Sequence, residues 1–141
     1  MIKIYTDGSC LENPGNGGWA AIIFMNNEKI IISGCKKNTT NNQMELMAAI
    51  EALKKIPKDQ EVQMYTDSKY VKMGITEWIK KWSQNDWKTS SKKKVKNISL
   101  WKKLNEISKI HNIEWCWIKA HAGDPFNEEV DKLAKNAASL S

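Results

Sequence analysis

The chain has 141 residues, 41% hydrophobic and 27% charged, with a formal net charge of +6. That length suits one domain, 1–141, with a core of its own, and no apolar run approaches the ~18 residues of a membrane-spanning helix. Three cysteines without a CxxC pair argue against a disulfide framework or a cysteine zinc site, and favour a reducing compartment.

Residues 2–10 read as a first strand closing in Tyr5-Thr6-Asp7-Gly8, an aspartate followed by a Gly-assisted turn. The chain enters this strand at once, with no basic segment leading into an apolar one, so no signal peptide is expected and the cytoplasm is the expected compartment. Leu11 to Gly18 is a Gly/Pro/Asn turn cluster. Trp19–Met25 and Lys29–Cys35 are apolar and strand-like, with Asn26-Asn27 as a hairpin turn between them. Thr39 to Asn42 supplies N-cap chemistry for a helix over Gln43–Lys55, whose Leu46, Ala49, Ile50 and Leu53 form a core-facing stripe. Glu45 borders that stripe beside small alanines.

Pro57 ends the helix, and Glu61–Thr66 is a fourth strand running into a second Tyr65-Thr66-Asp67. Ser68 to about Lys81 and Asn97–Ile110 read as helices, and Glu114–Lys119 as the fifth strand. A Gly/Pro loop, Ala120 to Pro125, leads to a last helix over Asn127–Ala138, where Asp131 flanks the apolar stripe. The order βββαβααβα predicts an α/β fold: a mixed five-stranded sheet flanked by helices.

The repeated Tyr-Thr-Asp is the main functional signal. Side chains alternate along a strand, so Asp7 shares a face with Tyr5 and Asp67 with Tyr65. The helix between strands three and four permits a crossover, which would set strands one and four parallel, about 4.8 Å apart. Two carboxylates at matched strand ends repel unless a cation or a proton lies between them. Ligands of open α/β sheets bind at such strand ends. Asp7, Glu45, Asp67 and Asp131 are therefore candidate ligands for a hard divalent cation such as Mg²⁺. Asp67 also opens a helix, where its carboxylate could cap backbone N–H groups.

Charge is unevenly spread. Residues 80–103 hold nine lysines against Asp86 alone, a local charge of +8, while the rest of the chain sums to −2. One basic segment on a near-neutral body is the footprint of a polyanion binder. Two metal ions about 3.5–4 Å apart can activate a water and stabilise a leaving oxygen in phosphodiester hydrolysis. The acids and the basic segment converge on a nuclease.

The motifs Tyr-Thr-Asp-Gly-Ser-Cys (5–10), Thr-Thr-Asn-Asn-Gln-Met-Glu-Leu-Met-Ala-Ala-Ile (39–50), Tyr-Thr-Asp-Ser (65–68), Gly-Ile-Thr-Glu-Trp-Ile (74–79), Ala-His-Ala-Gly (120–123) and Asn-Glu-x-x-Asp-x-Leu-Ala (127–134) resemble bacterial type 1 ribonuclease H, in order along nearly the whole chain. The resemblance implies a ribonuclease H-like fold with strand order 3-2-1-4-5. It implies endonucleolytic hydrolysis of the RNA strand of RNA/DNA hybrids with two Mg²⁺ ions, or Mn²⁺ as a substitute, leaving 5′-phosphate and 3′-hydroxyl ends. Asp7, Glu45, Asp67 and Asp131 match the family's metal-binding carboxylates, with Asp7 between both ions. His121 matches a loop histidine assisting proton transfer or product departure. His111 has no such support and is expected to be structural.

By the same resemblance, Thr40 and Asn97 match a pocket for a DNA-strand phosphate. Asn13, Asn41 and Asn42 match residues lining the hybrid's minor groove, where 2′-hydroxyls distinguish RNA. Residues from about 78 to 97 match a basic protrusion whose lysines, Lys92, Lys93 and Lys94 among them, grip phosphates without sequence preference. Trp78 is the tryptophan expected at the DNA strand, while Trp82, Trp87 and Trp101 are expected to pack the protrusion's base. Lys69 stands where relatives commonly carry glutamine, which implies a contact to phosphate or water. Ala120 replaces a glycine, which implies a stiffer loop. Another nuclease of the superfamily, such as a resolvase, integrase or reverse transcriptase domain, fits less well, given the Thr39–Asn42 segment and the protrusion. A non-catalytic hybrid-binding module predicts losses among the four acids, and all four are present. No protein partner is implied, and nothing in the sequence demands more than a monomer.

Overall fold

The computed structural model of the protein describes residues 1–140. Its elements are β1 (Ile2–Cys10), β2 (Gly15–Met25), β3 (Glu28–Thr39), α1 (Asn41–Lys55), β4 (Glu61–Thr66), α2 (Lys69–Met73), α3 (Ile79–Gln84), α4 (Ile98–Ser108), β5 (Asn112–Trp117) and α5 (Pro125–Ala138). The five strands form one sheet in the order β3-β2-β1-β4-β5, as the sequence implied. β1, β2 and β3 make an antiparallel meander, and β1 and β5 run parallel to β4. Asn26 and Asn27, both at positive φ, form the hairpin turn.

Two layers of helix cover the sheet. Ile2, Ile4, Val62 and Met64 on one face bury against Leu46, Ala49, Ile50 and Leu53 of α1 and against Trp101 and Leu104 of α4. Ala20 and Ile22 on the other face pack against Val130 and Ala134 of α5. Thr40 caps α1 by accepting the Gln43 N–H at 3.2 Å, a contact worth about 1 kcal/mol.

Several boundaries differ from the sequence reading. Asp7 does not end its strand: β1 continues to Cys10, because β2 remains paired with it from Ala20 back to Gly17. Gly8 makes no turn. A Cβ there would collide with the Glu45 nitrogen and the Met44 carbonyl carbon, so glycine lets the first turn of α1 close onto β1. The helix expected over 68–81 is interrupted by a π-helical turn at Gly74–Trp78. Its cap is Ser68, whose Oγ accepts the Val71 N–H at 3.1 Å, and not Asp67. α5 begins at Pro125, two residues before its expected start, with Asp124 accepting from Phe126 and Asn127. β5 lies two residues earlier than expected, since its register starts at Glu61↔Asn112. His111 is structural, as expected: its Nδ1 accepts the Gln60 N–H at 3.2 Å.

Candidate active site

The parallel ladder between β1 and β4 runs in register from Ile2↔Val62 to Thr6↔Thr66, with Tyr5 opposite Tyr65. Their rings stack at 4.6 Å between centroids. Beyond Thr66 β4 stops while β1 continues, so Asp7 and Asp67 follow directly on the last paired residues of the β1–β4 ladder. Glu45 arrives from α1 across Gly8. Ligand oxygens of Asp7, Glu45 and Asp67 all lie within 4.8 Å of one another. Asp131, on α5, lies outside that group of three. Its Oδ2 pairs with Lys135 Nζ at 3.0 Å, while its charge still acts on Asp7 and Asp67.

Burial decides the electrostatics here. Asp7 is 3% exposed, and burial pushes its carboxyl up to about 8; a hydrogen bond with Glu45 opposes this, and the Asp67 and Asp131 carboxylates add to it. Burial and the Asp7 charge raise Glu45 well above the usual carboxylate range. Asp67 is raised by burial, with the Asp7 hydrogen bond and the His121 charge pulling the other way. Glu45 is half-buried as a residue, but its Oε1 is sealed from solvent and has no hydrogen-bonding partner. An orphaned buried carboxylate oxygen beside two more carboxylates is costly alone. The all-oxygen donor set suits a hard divalent cation, which would remove that cost.

The structure gives the other predicted residues definite surroundings. His121 is exposed at φ 56° in the loop before α5. Asn41 Oδ1 accepts the Cys10 N–H at 2.8 Å, and Asn13 Oδ1 accepts the Asn41 N–H at 3.2 Å. Both residues are exposed, and with their oxygens engaged each keeps amide N–H groups that can donate. Asn42 is exposed in the first turn of α1.

Asn97 sits at φ 59° before α4. Its Oδ1 accepts from Gln43 Nε2 at 3.2 Å, and its Nδ2 donates to the Tyr70 hydroxyl at 3.1 Å. Gln43 also accepts from Thr39 Oγ1 at 2.8 Å, and Tyr70 accepts from Trp101 Nε1 at 3.0 Å. This chain of bonds joins the start of α1, which carries Thr40, to Asn97. Gln43 and Tyr70 were missed in the sequence, where only polarity at helix starts hinted at them.

The basic segment is a small folded arm. Lys88 and Lys94 bridge its two sides, Thr89 N–H donates to the Lys93 carbonyl at 2.8 Å, and Lys92, Lys93 and Lys94 are exposed. Val95, 4% exposed, anchors the arm. Trp82 packs between Trp78 and the fully buried Trp101, at 5.8 and 5.5 Å, and Lys102 lies over Trp87 at 5.5 Å. Trp82, Trp87 and Trp101 thus pack the arm's base, as expected. Trp78, Trp82, Lys93 and Lys94 share a cleft of about 360 Å³. Lys69 is exposed and holds its Nζ 5.0 Å from the Trp117 ring centroid.

Strand order and the acids gathered at the end of the β1–β4 ladder define the class, an α/β domain of the ribonuclease H type. Solved structures similar to this chain include LC9-RNase H1, described as a type 1 RNase H with the type 2 active-site motif. It is 30% identical with a TM-score of 0.87, over 99% of this chain and 72% of that one. The PFV RNase H domain is also similar, at 27% identity and TM-score 0.79, over 99% and 94%. The chain belongs to the RNase H family, whose model matches residues 1–139. It is 55% identical to a ribonuclease H of Wolbachia sp. subsp. Drosophila simulans, over 96% of this chain and 94% of the relative. It is 51% identical to a ribonuclease HI of Xylella fastidiosa, over 98% and 92%. No helix among the described residues is long and apolar enough to cross a membrane.

Proposed function

We propose that this chain is an endoribonuclease that hydrolyses the RNA strand of RNA/DNA hybrids with Mg²⁺, or Mn²⁺ in its place, leaving 5′-phosphate and 3′-hydroxyl ends. The observation that carries the reading is the convergence of Asp7, Glu45 and Asp67 oxygens within 4.8 Å, in a chain about half identical to proteins named ribonuclease H. Residues 1–141 act as one catalytic domain with a basic protrusion at about 78–97.

Asp7, Glu45 and Asp67 would hold the cations, with Asp131 as the fourth carboxylate of the set. Two such ions supply Lewis-acid stabilisation of the leaving oxygen and a water made nucleophilic near neutral pH. The protein contributes rigidity: Asp7 is fixed in a paired strand, and Glu45 is fixed by the close approach of α1 at Gly8. His121, whose charge reaches Asp67, moves a proton at the departing oxygen or assists product release.

Substrate contacts follow from the surroundings already described. Asn13 and Asn41 turn their amide donors toward acceptors in the minor groove, with Asn42 beside them, where 2′-hydroxyls mark the RNA strand. The capping oxygen of Thr40 leaves its hydroxyl hydrogen free to donate, so Thr40 and Asn97 take a DNA-strand phosphate. Trp78 meets the DNA strand, Lys69 meets a phosphate, and Lys92, Lys93 and Lys94 grip the backbone from the protrusion.

The test is a labelled substrate panel with Mg²⁺: RNA/DNA hybrid, duplex DNA, duplex RNA and single strands. Cutting is expected only in the hybrid's RNA strand. Equal cutting of duplex RNA or duplex DNA would contradict the proposal.

A further inference from the structure

Trp117 joins two features of the site that no local pattern in the sequence connects. It ends β5 opposite Thr66 and is 37% exposed. Its indole N–H donates to the main-chain carbonyl of Asp67 at 3.0 Å. The face of the same ring lies under the Lys69 ammonium, 5.0 Å from the centroid. The first contact fixes the peptide that follows a cluster carboxylate, just after the β4 ladder has ended at Thr66. The second restrains a long, flexible cationic stem on an aromatic face.

Lys69 is an unfavourable choice for helix stability alone. It occupies the first position of α2, where the helix dipole disfavours a cation. In sequence it follows Asp67 by two residues, and the carboxylates of Asp7, Glu45 and Asp67, gathered within 4.8 Å of one another, would repel an approaching phosphate. A restrained ammonium supplies a compensating attraction.

We propose that Trp117 is a positioning residue with two separable actions: its N–H holds the Asp67 peptide in register with Asp7, and its ring presents Lys69 to a phosphate of the strand being cleaved. This rests on the hybrid-cleaving reading above. An indole that merely packs at the surface would show neither action.

The experiment uses the full chain as wild type, Lys69→Ala, Trp117→Phe, Trp117→Leu and the Lys69→Ala/Trp117→Leu double variant. Hybrid affinity is measured in chelator across a salt series, and kcat and KM are measured with Mg²⁺. Lys69→Ala is expected to weaken binding about threefold and to lower the salt slope by about one. Trp117→Leu should match it, and the double variant should bind no more weakly than either single, because the ring acts through the lysine. Trp117→Phe keeps a ring and loses the N–H, so binding and salt slope stay at the wild-type value while kcat falls about tenfold at constant KM. Additive binding losses in the double variant, a Trp117→Phe enzyme with wild-type kcat, or hybrid binding untouched by Lys69→Ala would each overturn the inference. If Trp117→Leu does not fold, Lys69→Ala and Trp117→Phe still decide it. A wild-type protein that neither binds nor cuts the hybrid fails the underlying reading instead.

Discussion

Gly8 and Glu45 meet with no room for a side chain between them: a Cβ on Gly8 would collide with the Glu45 amide nitrogen. This contact sets how deeply α1 lies on β1, and hence whether the Glu45 carboxylate reaches Asp7. Gly8→Ala must push the two apart, and such overpacking costs about 1–3 kcal/mol. Thermal melting should show that loss. Cleavage under single-turnover conditions should fall about a hundredfold, since a shift of about 1 Å in a catalytic group can cost that much. A Gly8→Ala protein with the wild-type rate would show that the spacing is set elsewhere.

The acid cluster makes stability depend on pH in a defined direction. Carboxyls in an unfolded chain titrate near 4, whereas burial lifts Asp7 to about 8 and raises Glu45 and Asp67 as well. Between those limits the folded state binds more protons than the unfolded one, so stability in chelator falls as pH rises toward 8. Each pH unit costs about 1.4 kcal/mol per proton so retained. Asp7→Asn removes part of this penalty. Its melting temperature in chelator should exceed that of the wild type by more at pH 8 than at pH 5. A difference that stays constant over this range would contradict the electrostatic account.

Tyr70 is the acceptor shared by Asn97 and Trp101. Tyr70→Phe strands two donors, at a cost of about 1–3 kcal/mol where they are buried. It also frees Asn97 from one of its two anchors, so KM for the hybrid should rise with a smaller change in kcat. Steady-state kinetics alongside melting separate the two effects; a stability loss with unaltered KM would remove Asn97 from the substrate path.

In the proposed function the protrusion acts by charge. Replacing Lys92, Lys93 and Lys94 with alanine should weaken hybrid binding and flatten the salt dependence of log K by about 2–3. Cleavage at saturating substrate should survive, because these side chains lie outside the carboxylate cluster. An unchanged salt slope would exclude them from the interface.

Much of this organisation was legible before any coordinates. The Tyr-Thr-Asp echo foretold the parallel register of Tyr5 with Tyr65, because alternation along a strand is a local property. The stripe of Leu46, Ala49, Ile50 and Leu53 faced the core for the same reason. Gly8 is ambiguous in the sequence because glycine serves turns and close approaches alike, and only the position of α1 distinguishes them. Asp67 stands where a carboxylate could cap the helix, yet Ser68, one residue on, has the hydroxyl at the right reach. The π turn at Gly74–Trp78 left no periodic mark, since five residues are too few to reveal a shifted hydrogen bond. Gln43, Tyr70 and Trp117 matter through bonds to segments 27 to 54 residues away, which no window along the chain can register.

The central claim is that a divalent cation held by the Asp7 cluster drives cleavage of the hybrid's RNA strand. The direct measurement is the rate of RNA-strand cleavage by the wild type and by folded Asp7→Asn, each with Mg²⁺, with excess chelator, and after Mg²⁺ is restored. The account predicts wild-type cleavage that stops with chelator and returns with Mg²⁺, and an Asp7→Asn rate lower by about 10²–10³-fold or more. A folded Asp7→Asn protein cutting at the wild-type rate, or wild-type cutting that persists in chelator, would contradict it.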